Sequence, residues 1–167
     1  QPTELGTLYS REELEAIAQV CRKHDVKLFV DGARLAYALA CPENDVTLAD
    51  LAQLCDAFYI GGTKCGAMFG EAVVIPNPRL LPHMTTIIKQ HGALLAKGRL
   101  LGIQFDELFK NHLYNTIGHD AITYANQIRQ ACKRAGLPLY FENPTNQIFC
   151  LVTKEQMEKL SEKVVYS

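Results

Sequence analysis

Apolar and polar positions change period several times along this chain, and each change marks an element. Leu14, Ile17, Ala18 and Cys21 recur at helical spacing and give one apolar stripe. Ser10-Arg11-Glu12-Glu13 in front of them fits a capping box, and Arg22, Lys23 and His24 suit the last turn of the same helix. The short apolar run Val26-Lys27-Leu28-Phe29-Val30 predicts a strand, and Arg34 to Ala40 a helix that ends before Pro42. Thr47-Leu48-Ala49-Asp50 offers the next cap, with Leu51, Leu54 and Cys55 behind it. Ala57-Phe58-Tyr59-Ile60 predicts a second strand, and Glu71-Ala72-Val73-Val74-Ile75 a third. Only Gly66 to Gly70 separate the turn after Ile60 from that third strand. A parallel crossover needs about a dozen residues or more, so this return should be antiparallel.

From about Leu81 to Phe109 the pattern is helical, with Gly92, Gly98 and Gly102 along it. Glycine costs a helix interior roughly 1 kcal/mol against alanine, so three of them imply close helix packing or breaks. A further helix opens at Ile117-Gly118-His119-Asp120, runs through Ile122, Ala125, Ile128 and Cys132, and stops at Gly136. Leu137 to Phe141 and Gln147 to Val152 alternate around Glu142-Asn143-Pro144-Thr145-Asn146, the pattern of a hairpin. A charged helix begins near Lys154 and the chain is expected to end inside it. Helix, short loop and strand in repeated order make the class α/β. The chain divides near residue 112, with 1–112 in an α/β domain plus connecting helix and 113–167 at the start of a smaller α+β domain.

With 167 residues, 48% of them hydrophobic and 21% charged, the chain is long enough to bury a core. A net charge of −1 gives no case for nucleic acid or an acidic membrane as partner. No apolar run approaches the ~20 residues that span a bilayer. Gln1-Pro2-Thr3-Glu4 carries no secretory signature, and a start without Met inside what reads as a loop leads to the expectation of a fragment. Cys21, Cys41, Cys55, Cys65, Cys132 and Cys150 form no C-x-x-C pair, which favours a reduced, cytoplasmic chain over a disulfide framework or zinc site. His24, His83, His91, His112 and His119 show no metal-ligand spacing, and no metal is expected.

The chemistry gathers at two strand ends. Asp31 stands where the first strand stops, and Gly61-Gly62-Thr63-Lys64-Cys65-Gly66 follows the second. In open α/β sheets ligands lie outside the carboxyl ends of the strands. An acid and a lysine there suit an electron-poor ring held by an imine, the amine as nucleophile and the carboxylate beside a heterocyclic nitrogen.

Asp31-Gly32-Ala33-Arg34 followed by Gly62-Thr63-Lys64, with Thr3-Glu4-Leu5-Gly6-Thr7 upstream, resembles the threonine aldolases, fold-type-I enzymes that use pyridoxal phosphate. The resemblance runs over most of the chain and is strongest from Pro2 to roughly Phe109. It implies the C-terminal portion of a fold-type-I large α/β domain joined to part of a small α+β domain. It implies Lys64 as the Schiff-base lysine and Asp31 as the partner of the pyridine nitrogen. Arg34 would approach the ring hydroxyl and the substrate carboxylate, and Thr63 the cofactor phosphate. Arg99 would reach the phosphate of an adjacent subunit, in a homodimer or homotetramer with active sites between subunits. The reaction implied is cleavage of threonine or allo-threonine to glycine and an aldehyde, a step of amino-acid metabolism. A β-eliminating lyase or aminotransferase on the same fold would use the same lysine and aspartate, and an inactive truncated domain serving assembly would keep the fold alone. On the residues themselves, Lys64 also reads as a surface lysine in a glycine turn, Asp31 as a cap of the helix from Ala33, and Arg34 and Arg99 as solvated helix arginines.

Overall fold

The computed structural model describes residues 5–165, so Thr3 and Glu4 of the upstream motif lie outside the described residues. The expected caps form. Helix α1 (Arg11–Lys23) begins with Ser10 Oγ accepting from Glu13 N at 3.2 Å, while Glu13 Oε2 accepts from Ser10 N at 2.8 Å. After α2 (Leu35–Leu39), helix α3 (Leu48–Leu54) repeats the reciprocal box with Thr47 and Asp50. The end of α1 explains why strand β1 (Phe29–Val30) is shorter than the apolar run from Val26. Asp25 takes a left-handed φ of 51°, and Val26 N donates back to Cys21 O at 2.9 Å, so Val26 closes the helix. Leu28 N then donates to the side chain of Asp56 at 2.9 Å, ahead of the first ladder pair.

A left-handed conformation costs an L-residue about 1–2 kcal/mol, partly offset here because glycine would lose more chain entropy. Asp25→Gly should therefore stabilise the fold by roughly 0.5 kcal/mol and raise Tm by about 1–2 °C in a thermal melt. The only ion pair of Asp25 among the described residues is an exposed one with Lys27 at 3.7 Å, whose loss should matter little.

The sheet has the order β1-β2-β3, with β2 spanning Ala57–Gly61 and β3 Glu71–Val74. β1 runs parallel to β2, Phe29 opposite Ala57, and β2 runs antiparallel to β3, Tyr59 opposite Val73. The tight return read from the sequence is present. Val30, Phe58, Ile60, Ala72 and Val74 face a core that includes Leu14, Leu35, Leu51, Leu108 and Tyr114. Side chains alternate along a strand, so Phe29, Tyr59, Val73 and Glu71 share the opposite face. That face is open, with Phe29 56% and Val73 60% exposed.

The helical pattern from Leu81 to Phe109 resolves into two helices, α4 (Met84–Gln90) and α5 (Arg99–Phe109). Gly92 at φ 64° makes the break: Gly92 N donates to Lys89 O and Ala93 N to Ile88 O, so the last carbonyls of α4 are satisfied by a turn out of the helix. A 3-10 turn over Lys110–His112 with left-handed Asn111 and His112 leads into α6 (Leu113–Thr116). Residue 112 falls in this kink, while Tyr114 beyond it shares a core with Leu108. Helix α7 (His119–Arg134) buries Ile122, Ala125 and Arg129, and Ile128 of the expected stripe is 54% exposed. Acceptors from a distant loop explain the exchange. Arg129 donates to Asn143 Oδ1 at 3.2 Å and to the Thr145 carbonyl, and Thr145 Oγ1 in turn donates to Gly6 O at 2.5 Å.

The hairpin expected around Glu142 to Asn146 is reduced to one antiparallel bridge between Leu139 and Cys150, with Tyr140 N bonded to Phe149 O at 2.7 Å. Asn143 and Thr145 turn inward to serve Arg129 instead of closing a tight loop. Helix α8 (Lys154–Ser161) ends at Ser161, short of the last residues. All six cysteines are free thiols.

Candidate active site

Backbone contact between two glycine-bearing strand ends sets the distance between the acid and the lysine. Gly61 N donates to Gly32 O at 3.0 Å, and that same carbonyl accepts from Leu35 N at 2.9 Å. A Cβ on Gly32 would fall 1.8 Å from Tyr59 O, and one on Gly61 would fall 2.4 Å from Gly32 O. Only glycines let these segments touch, and their touching puts Asp31 and the Lys64 turn side by side. The turn is held from below. Buried Tyr114 donates to Gly61 O at 2.8 Å, Tyr37 donates to Lys64 O at 2.6 Å, and Gly62 N donates to Glu71 Oε2 at 2.5 Å. Buried Cys65 faces the Ala33 carbonyl, and burial pushes its thiol up. The backbone around Lys64 is thus fixed while its side chain stands exposed.

Asp31 is held below the usual carboxylate range. The hydrogen bond from the Tyr59 hydroxyl is the largest cause, followed by that from Ala33 N at 3.0 Å, with the charge of Lys64 adding to both. Both bonds fall on Oδ1, and Oδ2 accepts no hydrogen bond among the described residues. Asp31 does not cap a helix at Ala33, because α2 starts at Leu35 with Arg34 as N-cap; it closes a local turn. Arg34 is half-buried, and its positive charge acts on Tyr37 and Cys65 beside the Lys64 turn. Among the described residues, Thr63 Oγ1 makes only a long 3.4 Å bond to Gly70 O.

Arg99 is not brought to this cluster within the chain. It is exposed at the start of α5, and among the described residues no hydrogen bond or ion pair links it to Asp31, Arg34 or Lys64. Its helix does support the turn, since Gln104 Oε1 accepts from Met68 N at 2.7 Å and Leu101 packs against Gly70. An open cavity of about 500 Å³ lies behind Asp31, lined by Leu8, Leu14, Phe29, Leu35, Leu39 and Leu51 among others. Lys64, Arg34 and Thr63 are not among its lining residues, while Asp31 is. No group of three or more metal-binding side chains occurs among the described residues.

The residue the sequence did not single out is Tyr59. Its signal was there in the parallel register: Phe29 opposite Ala57 puts Asp31 level with Tyr59 two residues on, on the same face.

The α/β sheet thus carries an aspartate held below the usual carboxylate range and an exposed lysine at adjacent strand ends, where ligands lie in open α/β sheets. Residues 2–155 match the beta-eliminating lyase family, and the chain belongs to that family. It is 31% identical over 170 residues to a low specificity L-threonine aldolase of a Pseudomonas species, covering 98% of this chain and 47% of that protein. The corresponding enzyme of Saccharomyces cerevisiae is 27% identical over 92% of this chain and 39% of its own length. A solved structure of Leishmania major threonine aldolase superposes with a TM-score of 0.90 at 45% identity, over 96% of this chain and 47% of that one. The chain thus spans about half the length of the curated relatives it matches.

Proposed function

We propose that this chain supplies the lysine and aspartate of a pyridoxal-phosphate-dependent carbon–carbon lyase, splitting threonine, allo-threonine or related β-hydroxy amino acids into glycine and an aldehyde. The observation that carries the reading is the pairing of an ionised Asp31 with an exposed Lys64 on fixed backbone at neighbouring strand ends. The likeness to threonine aldolases over nearly all of this chain favours the aldolase over other reactions of the fold.

The residues fit the cofactor. Asp31 offers a charged carboxylate with Oδ2 open, which suits a protonated ring nitrogen, and Lys64 Nζ is exposed for covalent attachment. When bound, pyridoxal phosphate supplies the electron sink for the pair released as the substrate Cα–Cβ bond breaks. Lys64 Nζ would hold the cofactor, and its amine, when not so engaged, could carry a proton. Arg34 suits a carboxylate, to which a planar guanidinium bonds through two donors. Thr63, whose present bond is long and easily exchanged, is assigned to the phosphate. Arg99 is assigned to the phosphate of a second subunit, since it is exposed and, among the described residues, no hydrogen bond or ion pair ties it to its own lysine turn. Leu94, Leu95, Leu100 and Ile103 are exposed around it and suit burial in a homodimer or homotetramer. The division near residue 112 belongs to the same reading, separating the large domain from the small one.

Borohydride reduction of the whole protein loaded with pyridoxal phosphate, followed by peptide mapping, should leave a phosphopyridoxyl group on the peptide containing Gly62 to Gly66. A label on another lysine, or none, removes Lys64 from the site.

A further inference from the structure

Asp31 does not stand alone on the open face of the sheet. Tyr59, from the middle strand, donates its hydroxyl to Asp31 Oδ1, and Phe29 packs its ring 6.0 Å from that of Tyr59 at a 40° tilt. A carboxylate that ends a strand can rotate about its Cβ–Cγ bond, and an exposed one has little to stop it. Here two donors on one oxygen stop it, the phenol from β2 and the backbone N–H of Ala33. Phe29 backs the phenol on the side away from the turn. The arrangement is asymmetric, because one oxygen is fully engaged and the other is left for a ligand.

We propose that Tyr59 is a positioning residue for Asp31: its phenol fixes Oδ1 and so presents Oδ2 to the ring nitrogen of the cofactor. This role rests on the proposed cofactor site. Tyr59 itself does not touch the reacting atoms; it acts through the carboxylate. Its own hydroxyl is pushed up to about 12, by burial first and by Asp31 next, so it remains a donor at any working pH. Glu71 on β3 adds to that rise, while Lys64 on the far side of Asp31 stabilises the carboxylate. Losing the phenol removes the largest cause of the low Asp31 value, so the Asp31 titration should move up toward the ordinary carboxylate range.

The test is Tyr59→Phe in the whole protein, which keeps the ring against Phe29 and removes only the donor. In the cofactor-free protein, the carboxyl carbon of Asp31 followed by NMR against pH should titrate higher in the variant than in the wild type. Pyridoxal phosphate, titrated by absorbance, should bind about tenfold more weakly, in line with loss of a hydrogen bond to a charged group. In an Asp31→Ala background the same Tyr59→Phe change should leave the Kd unaltered, because no side-chain acceptor is left for the phenol to orient. A merely structural tyrosine would weaken binding equally in both backgrounds. An equal loss in both, or an unmoved Asp31 titration, overturns the role of Tyr59 while leaving the cofactor site in place. Failure of the wild type to bind pyridoxal phosphate overturns the site and this role together.

Discussion

Lys64→Ala in the whole protein should lower kcat for threonine by at least about a thousandfold, with Tm changed by no more than a degree or two. A proton moved by a positioned side chain is worth about 10²–10⁴ in rate, and Lys64 is assigned a covalent role besides. The stability half of the expectation comes from the turn. Its hydrogen bonds use the Lys64 carbonyl, Gly61 O and Gly62 N, and its burial uses Cys65; among the described residues none uses Lys64 Nζ. Exposed side chains away from such features change stability by about 0.5 kcal/mol or less. Initial-rate assays beside a thermal melt separate the two halves. Normal turnover with a normal melt would return Lys64 to a surface lysine in a glycine turn.

What the sequence made legible was chemistry carried by neighbours in the chain. Ser10 with Glu13, and Thr47 with Asp50, are three residues apart; the box at Ser10 and the cap at Thr47 both formed, the latter as a reciprocal box. The places of Asp31 and Lys64 were legible because Asp31 stops one apolar run and Lys64 sits in the glycine turn that follows another, and a strand end is a local feature. Tyr59 was not, since on its own strand it looks like any aromatic β-former. It acquires meaning only when β1 pairs in register with β2. The exchange of Ile128 for Arg129 on α7 has the same origin. Periodicity selects the apolar residue, but the acceptors at Asn143 and Thr145 come from a loop more than a dozen positions on, and a paired arginine buries where an unpaired one would not. The expected hairpin shrinks to one antiparallel bridge for the reason that Arg129 buries, because Asn143 and Thr145 of its loop turn inward.

Gly32→Ala should be the most damaging single methyl in the chain. The added carbon would sit 1.8 Å from Tyr59 O, and the obstacle is backbone, which cannot rotate away as a side chain can. β1 and β2 would have to separate by more than an ångström at their carboxyl ends. That movement stretches the Gly61 N to Gly32 O bond and carries Asp31 away from both Tyr59 and the Lys64 turn. Overpacking in a fitted interior costs about 1–3 kcal/mol and more against rigid neighbours, so a loss of at least about 3 kcal/mol is expected here. Gly102→Ala serves as the internal comparison. It lies within α5 with nothing inside 4 Å of its added carbon, and alanine there should stabilise by up to about 1 kcal/mol. Denaturant melts of the two variants should therefore move in opposite directions from the wild type. A Gly32→Ala protein that melts like the wild type would mean that the strand ends can part freely. The spacing of Asp31 and Lys64 would then have to be set by something other than this glycine contact.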